Sequence, residues 1–153
     1  MKNVSRHVAP MMTAILLFGC AGIPEPGPTA QQQAQIRQGK GIHESFTVPQ
    51  KFETALQNLQ QVSDKCFPPD SPLGRFGAET TVAPDKKSAT ILLGWKTKKW
   101  MRVWFVVDLT ARDNKTDVHT FGYGSTGSYK NFGIEVKSWV ADPKVCDPKV
   151  PGA

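Results

Sequence analysis

From Trp100 to Ala111 every second residue is apolar: Met101, Val103, Phe105, Val107 and Leu109 share one side of any extended chain drawn through them. A helix would scatter these five around its circumference, so the run demands a β-strand whose apolar row is covered by another layer. Stretches of the same period flank it at 78–83, 88–95 and 116–123. Turn-forming residues separate them at 84–87, around Thr97-Lys98 and at Asp113-Asn114. Such short connections make neighbouring strands antiparallel, and the expectation is a four-stranded antiparallel meander.

Upstream the period changes to that of a helix. Phe52, Ala55, Leu56, Leu59, Val62 and Cys66 recur at three- and four-residue spacing, Pro49 suits the first helical position, and Phe67-Pro68-Pro69 ends the run. After the glycine-rich 122–127, the residues Tyr129, Phe132, Val136, Trp139 and Val140 return to helical spacing despite Gly133. The expected fold is α+β in the order α-β-β-β-β-α, with both helices on one face of the meander and the Met101 to Leu109 row as the core beneath them.

The opposite side of the longest strand carries Trp100, Arg102, Trp104, Val106 and Asp108. With tight hairpins, Trp104 falls across from Ile91 and Tyr123, Val106 from Phe121, Arg102 from Leu93, and Trp100 from Trp95. A one-residue slip would reassign every neighbour. Trp95, Trp100, Arg102, Trp104 and Tyr123 then form an aromatic patch with two competing readings. Either it is ordinary core, covered by residues 31–46 or by a partner subunit, or it is a surface for a glycan or for another envelope protein.

The N-terminus has a positive start (Lys2, Arg6), an apolar stretch from Met11 to Phe18 broken only by Thr13, and then Leu17-Phe18-Gly19-Cys20. The apolar stretch is too short to span a bilayer, which takes about 20 such residues. This pattern resembles the lipobox-type signal peptide of bacterial lipoproteins. The resemblance implies cleavage before Cys20, a diacylglycerol on its sulfur and an acyl chain such as palmitate on its new amino group. Ala21 implies sorting to the outer membrane, facing the periplasm. Several acyl chains on one residue hold a protein stably at a membrane, where a single chain does not. The layout of the folded part loosely resembles the helix-grip-like domains of outer-membrane assembly lipoproteins. That likeness is one of arrangement, and it transfers no functional residue.

The chain thus divides into a signal peptide at 1–19, a lipid-anchored flexible linker at 20–45 and a single α+β domain at 46–153. Prolines alternate with glycine and other residues from 22 to 28, which favours a polyproline-like spacer. The glutamine-rich 30–38 offers at most a turn or two of helix. With Cys20 acylated, Cys66 and Cys146 remain, and an even pair in an oxidising compartment reads as a disulfide. The rival is a metal site with His43 or His119, which lacks a close ligand pair.

Removing Lys2 and Arg6 from the formal charge of +6 leaves +4, spread over interspersed lysines. Only Lys96 to Arg102 is dense enough to suggest an anionic partner such as a lipid headgroup or a glycan. Export and the lack of a recognition motif argue against nucleic acid. For catalysis the best constellation is Asp108 across from His119, with Ser88 and Thr90 remote from it, while His43-Glu44 falls in the linker. No phosphate loop, metal-ligand spacing or nucleophile elbow is present. The expectation is a protein without catalytic residues, metal or cofactor, lipid-anchored in the cell envelope, with a binding or envelope-maintenance role. The alternatives are a glycan- or peptidoglycan-binding module, or a periplasmic inhibitor or small-ligand carrier.

Overall fold

The computed structural model describes residues 29–66, 75–123 and 132–143. They form α1 (Thr29–Gln38), β1 (Ile42–Val48), α2 (Phe52–Cys66), β2 (Arg75–Val82), β3 (Ser88–Lys96), β4 (Met101–Arg112), β5 (Lys115–Gly122) and α3 (Phe132–Ala141). The class is α+β with an antiparallel sheet, but the sheet has five strands in the order β1-β5-β4-β3-β2. The added strand is β1, which pairs antiparallel with β5 from Ile42 opposite Gly122 to Val48 opposite Thr116. Residues 29–45, expected as linker, therefore supply a helix and most of an edge strand. Cys20, Cys146 and Tyr129 lie outside the described residues, as does the side chain of Cys66.

α2 follows its periodicity. Phe52, Ala55, Leu59 and Val62 are buried and Leu56 packs beside them, while Glu53, Gln57 and Gln60 face solvent. Its first backbone bond runs from the Ala55 amide to the Lys51 carbonyl, so Pro49 stands in the bend before the helix rather than at its first position. α3 buries Val136, Trp139 and Val140 in the same cluster. The Asn58 amide donates to the Val140 carbonyl at 2.7 Å and fastens the end of α3 to α2. At the other end of α3, Gly133 leaves the space that the Glu44 carboxylate of β1 occupies; a Cβ there would overlap it. A carboxylate against a helix N-terminus opposes the positive end of the helix dipole.

The expected unbroken row on β4 does not exist, because a bulge divides it. Leu93 pairs with Phe105 but Gly94 pairs with Val103, which makes Trp104 an extra residue without a partner on β3. Phe105, Val107 and Leu109 stay on the face covered by α2 and α3, with Ala89, Ile91, Leu93 and Val118. Met101 and Val103 turn over and join Leu92 and Val106 in a second cluster, capped by Ile36 of α1 and flanked by Phe121. Helices thus cover both faces of the sheet instead of one. Gly94 permits the close approach at the bulge, since a Cβ on it would run into the Arg102 carbonyl and the backbone of Val103.

The expected β4–β5 register holds, with Val106 opposite Phe121 and Asp108 opposite His119. That of β3–β4 does not. Ile91 faces Val107 rather than Trp104, Leu93 faces Phe105 rather than Arg102, and Trp95 faces Arg102 rather than Trp100.

Candidate functional site

β4 outruns its neighbour. β5 ends with Gly122 opposite Phe105, and the last bond between the two is donated by the Tyr123 amide to the Trp104 carbonyl at 2.9 Å. The polar edge of β4 from Met101 to Val103 has no β5 partner. The side chain of Gln32 takes that place: its Nε2 donates to the Met101 carbonyl at 3.0 Å and its Oε1 accepts from the Val103 amide at 2.8 Å. A primary amide offers the same donor and acceptor as a peptide, so Gln32 continues the ladder by one step.

Beside this junction lies an open cleft of about 400 Å³. Gln32, Gln35 and Ile36 form its α1 wall, and Arg102, Val103, Trp104 and Tyr123 form the other. Tyr123 is 76% exposed, Arg102 is exposed, and Trp104 is half-buried, packing also against the α2–α3 core. The cleft therefore offers aromatic surface, amide groups and one cation within a short span, a set suited to a ligand with both apolar and hydrogen-bonding faces.

Of the five residues expected to form a binding patch, Arg102, Trp104 and Tyr123 line this cleft. Trp95 and Trp100 do not. Trp95 is half-buried opposite Arg102 on β3, and Trp100 closes the β3–β4 turn, where its carbonyl accepts from the Thr97 amide at 2.9 Å. The face opposite α2 and α3 is partly core, in line with the first of the two readings, since Val106 is fully buried under Ile36 of α1. Gln32, Gln35 and Ile36 are the cleft residues that sequence reasoning passed over. The one signal for them is Ile36, a lone apolar residue in a run of glutamines.

The Asp108–His119 pair belongs to a polar row that crosses the sheet from Ser45 through His119 and Asp108 to Thr90, each opposite the next. Asp108 is held from above by Arg37 of α1, whose Nε and Nη2 donate to its two oxygens at 2.9 and 2.7 Å. Thr90 donates to it at 2.7 Å, so Thr90 adjoins Asp108 on the side away from His119. The Ser45 hydroxyl lies 2.8 Å from Nδ1 of His119, on an exposed surface. The chemistry of the row is that of a clamp: it fixes α1 to the sheet. The ring of His43 meets that of Phe121 edge-on, with centroids 5.2 Å apart. Among the described residues no three His, Cys, Asp or Glu side chains gather as metal ligands.

At the far end of the sheet a second hollow of about 480 Å³ is lined by Thr47, Arg112, Asp113, Asn114 and Lys115. Nearby, Asp117 accepts from the Thr47 hydroxyl at 2.6 Å and from Arg112 at 3.4 Å. The Thr47 hydrogen bond, with the Arg112 charge, lowers the Asp117 pKa below its ordinary 3.8. No aromatic side chain lines this hollow. Among the described residues no helix is long and apolar enough to cross a membrane. Comparison with known proteins finds no matching family model, curated protein or solved structure.

Proposed function

We propose that this chain is a lipid-anchored cell-envelope protein that binds a partner without transforming it, acting in envelope maintenance from the periplasmic side of the outer membrane. Its address rests on Leu17-Phe18-Gly19-Cys20 with the short apolar stretch before it. The binding role rests on one observation, the cleft between α1 and the end of β4 that extends past β5, where Arg102, Trp104 and Tyr123 converge with Gln35. Replacing Cys20 by Ser tests the address: the precursor should stay unprocessed, and the N-terminal peptide of the wild-type protein should carry the mass of its acyl chains. An unmodified Cys20 in the wild type removes the anchor. A photo-crosslinking residue at position 123, used in intact cells, tests the cleft. A defined adduct that disappears with Arg102→Ala is the expected result.

A glycan is the second reading, favoured by the same side chains. A sugar ring sets an apolar face on Trp104 or Tyr123 and turns its hydroxyls to Gln35 and Arg102. Titration with soluble peptidoglycan fragments should then quench tryptophan emission in the wild type and not in Tyr123→Ala.

A further inference from the structure

The cleft uses only Arg102 of the most densely basic segment of the chain, the β3–β4 hairpin. Its turn carries Lys98 and Lys99, both exposed, and Arg102 follows on β4, also exposed. Among the described residues no ion pair engages these three side chains; Lys96 alone has an acid, Glu79, at 3.0 Å. Trp95 and Trp100, both half-buried, flank the turn. The opposite end, with the β2–β3 and β4–β5 turns, has comparable basic residues in Lys86, Lys87, Arg112 and Lys115. There Asp85, Asp113 and Asp117 offset them. The larger excess of basic side chains therefore lies at the hairpin end.

The chain also enters the fold at that end. Gln32 of α1 bonds to Met101 and Val103 while Arg37 bonds to Asp108, so α1 runs in the direction of β4 and its first residue, Thr29, points toward the hairpin. Eight residues, 21–28, separate Thr29 from the lipid site at Cys20, and the nine steps between them reach at most about 30 Å. The twelve residues of β4 extend roughly 36 Å from the hairpin to the far end at about 3.3 Å each. A bilayer holding Cys20 is within easy reach of the hairpin end and beyond reach of the far end.

We propose that the β3–β4 hairpin rests on the anionic headgroups of the bilayer that holds Cys20, with Lys98, Lys99 and Arg102 facing lipid phosphates and Trp95 and Trp100 at the interface. The orientation part of this proposal rests on the lipid-anchor reading above; the charge part does not. Tryptophan favours the headgroup level, and basic residues near an anionic surface contribute about fivefold each. Three such groups bias the docked state by roughly a hundredfold. Docking also fixes the domain so that its cleft opens close to the membrane plane.

The test labels lysines in the mature protein reconstituted in vesicles, and reads each site by peptide mass. In vesicles containing phosphatidylglycerol, Lys98 and Lys99 should acylate at least about tenfold more slowly than in phosphatidylcholine vesicles, and high salt should abolish the difference. Lys86 and Lys87, at the far end, serve as the internal control and should label at one rate throughout. Equal rates at Lys98 and Lys99 in the two lipids overturn the proposal, as does equal protection of Lys86 and Lys87. Protection in both lipids alike also overturns it, since charge would then not be what is recognised. The N-terminal peptide from the same digest reports acylation of Cys20, so a failed anchor and a failed hairpin are read separately.

Discussion

At the scale of single residues, the bulge at Trp104 decides most of what the sheet does. A period-two row reads as one face, and Met101 to Leu109 keep that period without a break. The bulge is invisible in the row itself, because an extra residue changes which side is faced without changing residue type. Its trace in the sequence is Gly94, whose missing Cβ admits the Arg102 carbonyl. Replacing Gly94 by Ala should cost about 1–3 kcal/mol as the strands are forced apart, read from the midpoint of urea unfolding at unchanged slope. Phe105, 2% exposed, should cost about 3–5 kcal/mol when truncated to Ala. Trp104→Ala should cost clearly less, since part of that side chain already faces water. Asp117 offers a residue-level pH prediction. Its pKa is lowered in the fold by the Thr47 hydroxyl and then by Arg112, so its contribution to stability is complete above the ordinary 3.8 and fades as pH falls through the lowered value. Thr47→Val should raise the Asp117 pKa, as followed by carboxyl chemical shifts; an unmoved titration would sink that assignment.

At the scale of elements, α2, α3 and four of the five strands were legible in the sequence, and α1 and β1 were not. α1 has no apolar stripe to announce it. Of its residues only Ile36 is buried, and polar side chains do the fastening: Gln32 to the β4 backbone, and Arg37 to Asp108 and Thr90. β1 does alternate, with Ile42 and Val48 buried and His43, Ser45 and Thr47 exposed, but Glu44 interrupts the inward row. Glu44 makes sense only beside Gly133, which itself looked like a flaw in α3. Each of the two exceptions accounts for the other, and neither could be interpreted before the fold brought them together. For the same reason only part of the site was legible: Arg102, Trp104 and Tyr123 stood out as residue types, whereas the wall of α1 depends on where a polar helix docks. A double-mutant cycle on Arg37→Ala and Asp108→Ala should give a coupling of about 1–2 kcal/mol, as expected for a charged, two-pronged hydrogen bond that is partly exposed. Arg37→Ala should also raise binding of an apolar dye, as α1 loosens over Leu92 and Val106. Additive effects would mean that α1 is held elsewhere.

At the scale of the whole molecule, the two layers of helix are fastened differently. Apolar side chains join α2 and α3 to the sheet, and we expect Cys66 at the end of α2 to be bridged to Cys146. In freshly isolated protein neither thiol should react until a reductant is added, and reduction should lower stability by about 4–5 kcal/mol in the chain-entropy picture. Two reactive thiols would dismiss the bridge. The polar fastening of α1 bears instead on mechanical load. If the chain is anchored through Cys20, any pull between domain and membrane enters at Thr29 and runs along the axis of α1. Because the helix lies along β4, the Gln32 bonds, the packing of Ile36 and the Arg37 clamp are all sheared together, rather than peeled away one after another. Contacts loaded in parallel share the force. A helix with little apolar surface thereby becomes the strain relief of the cable on which the domain hangs.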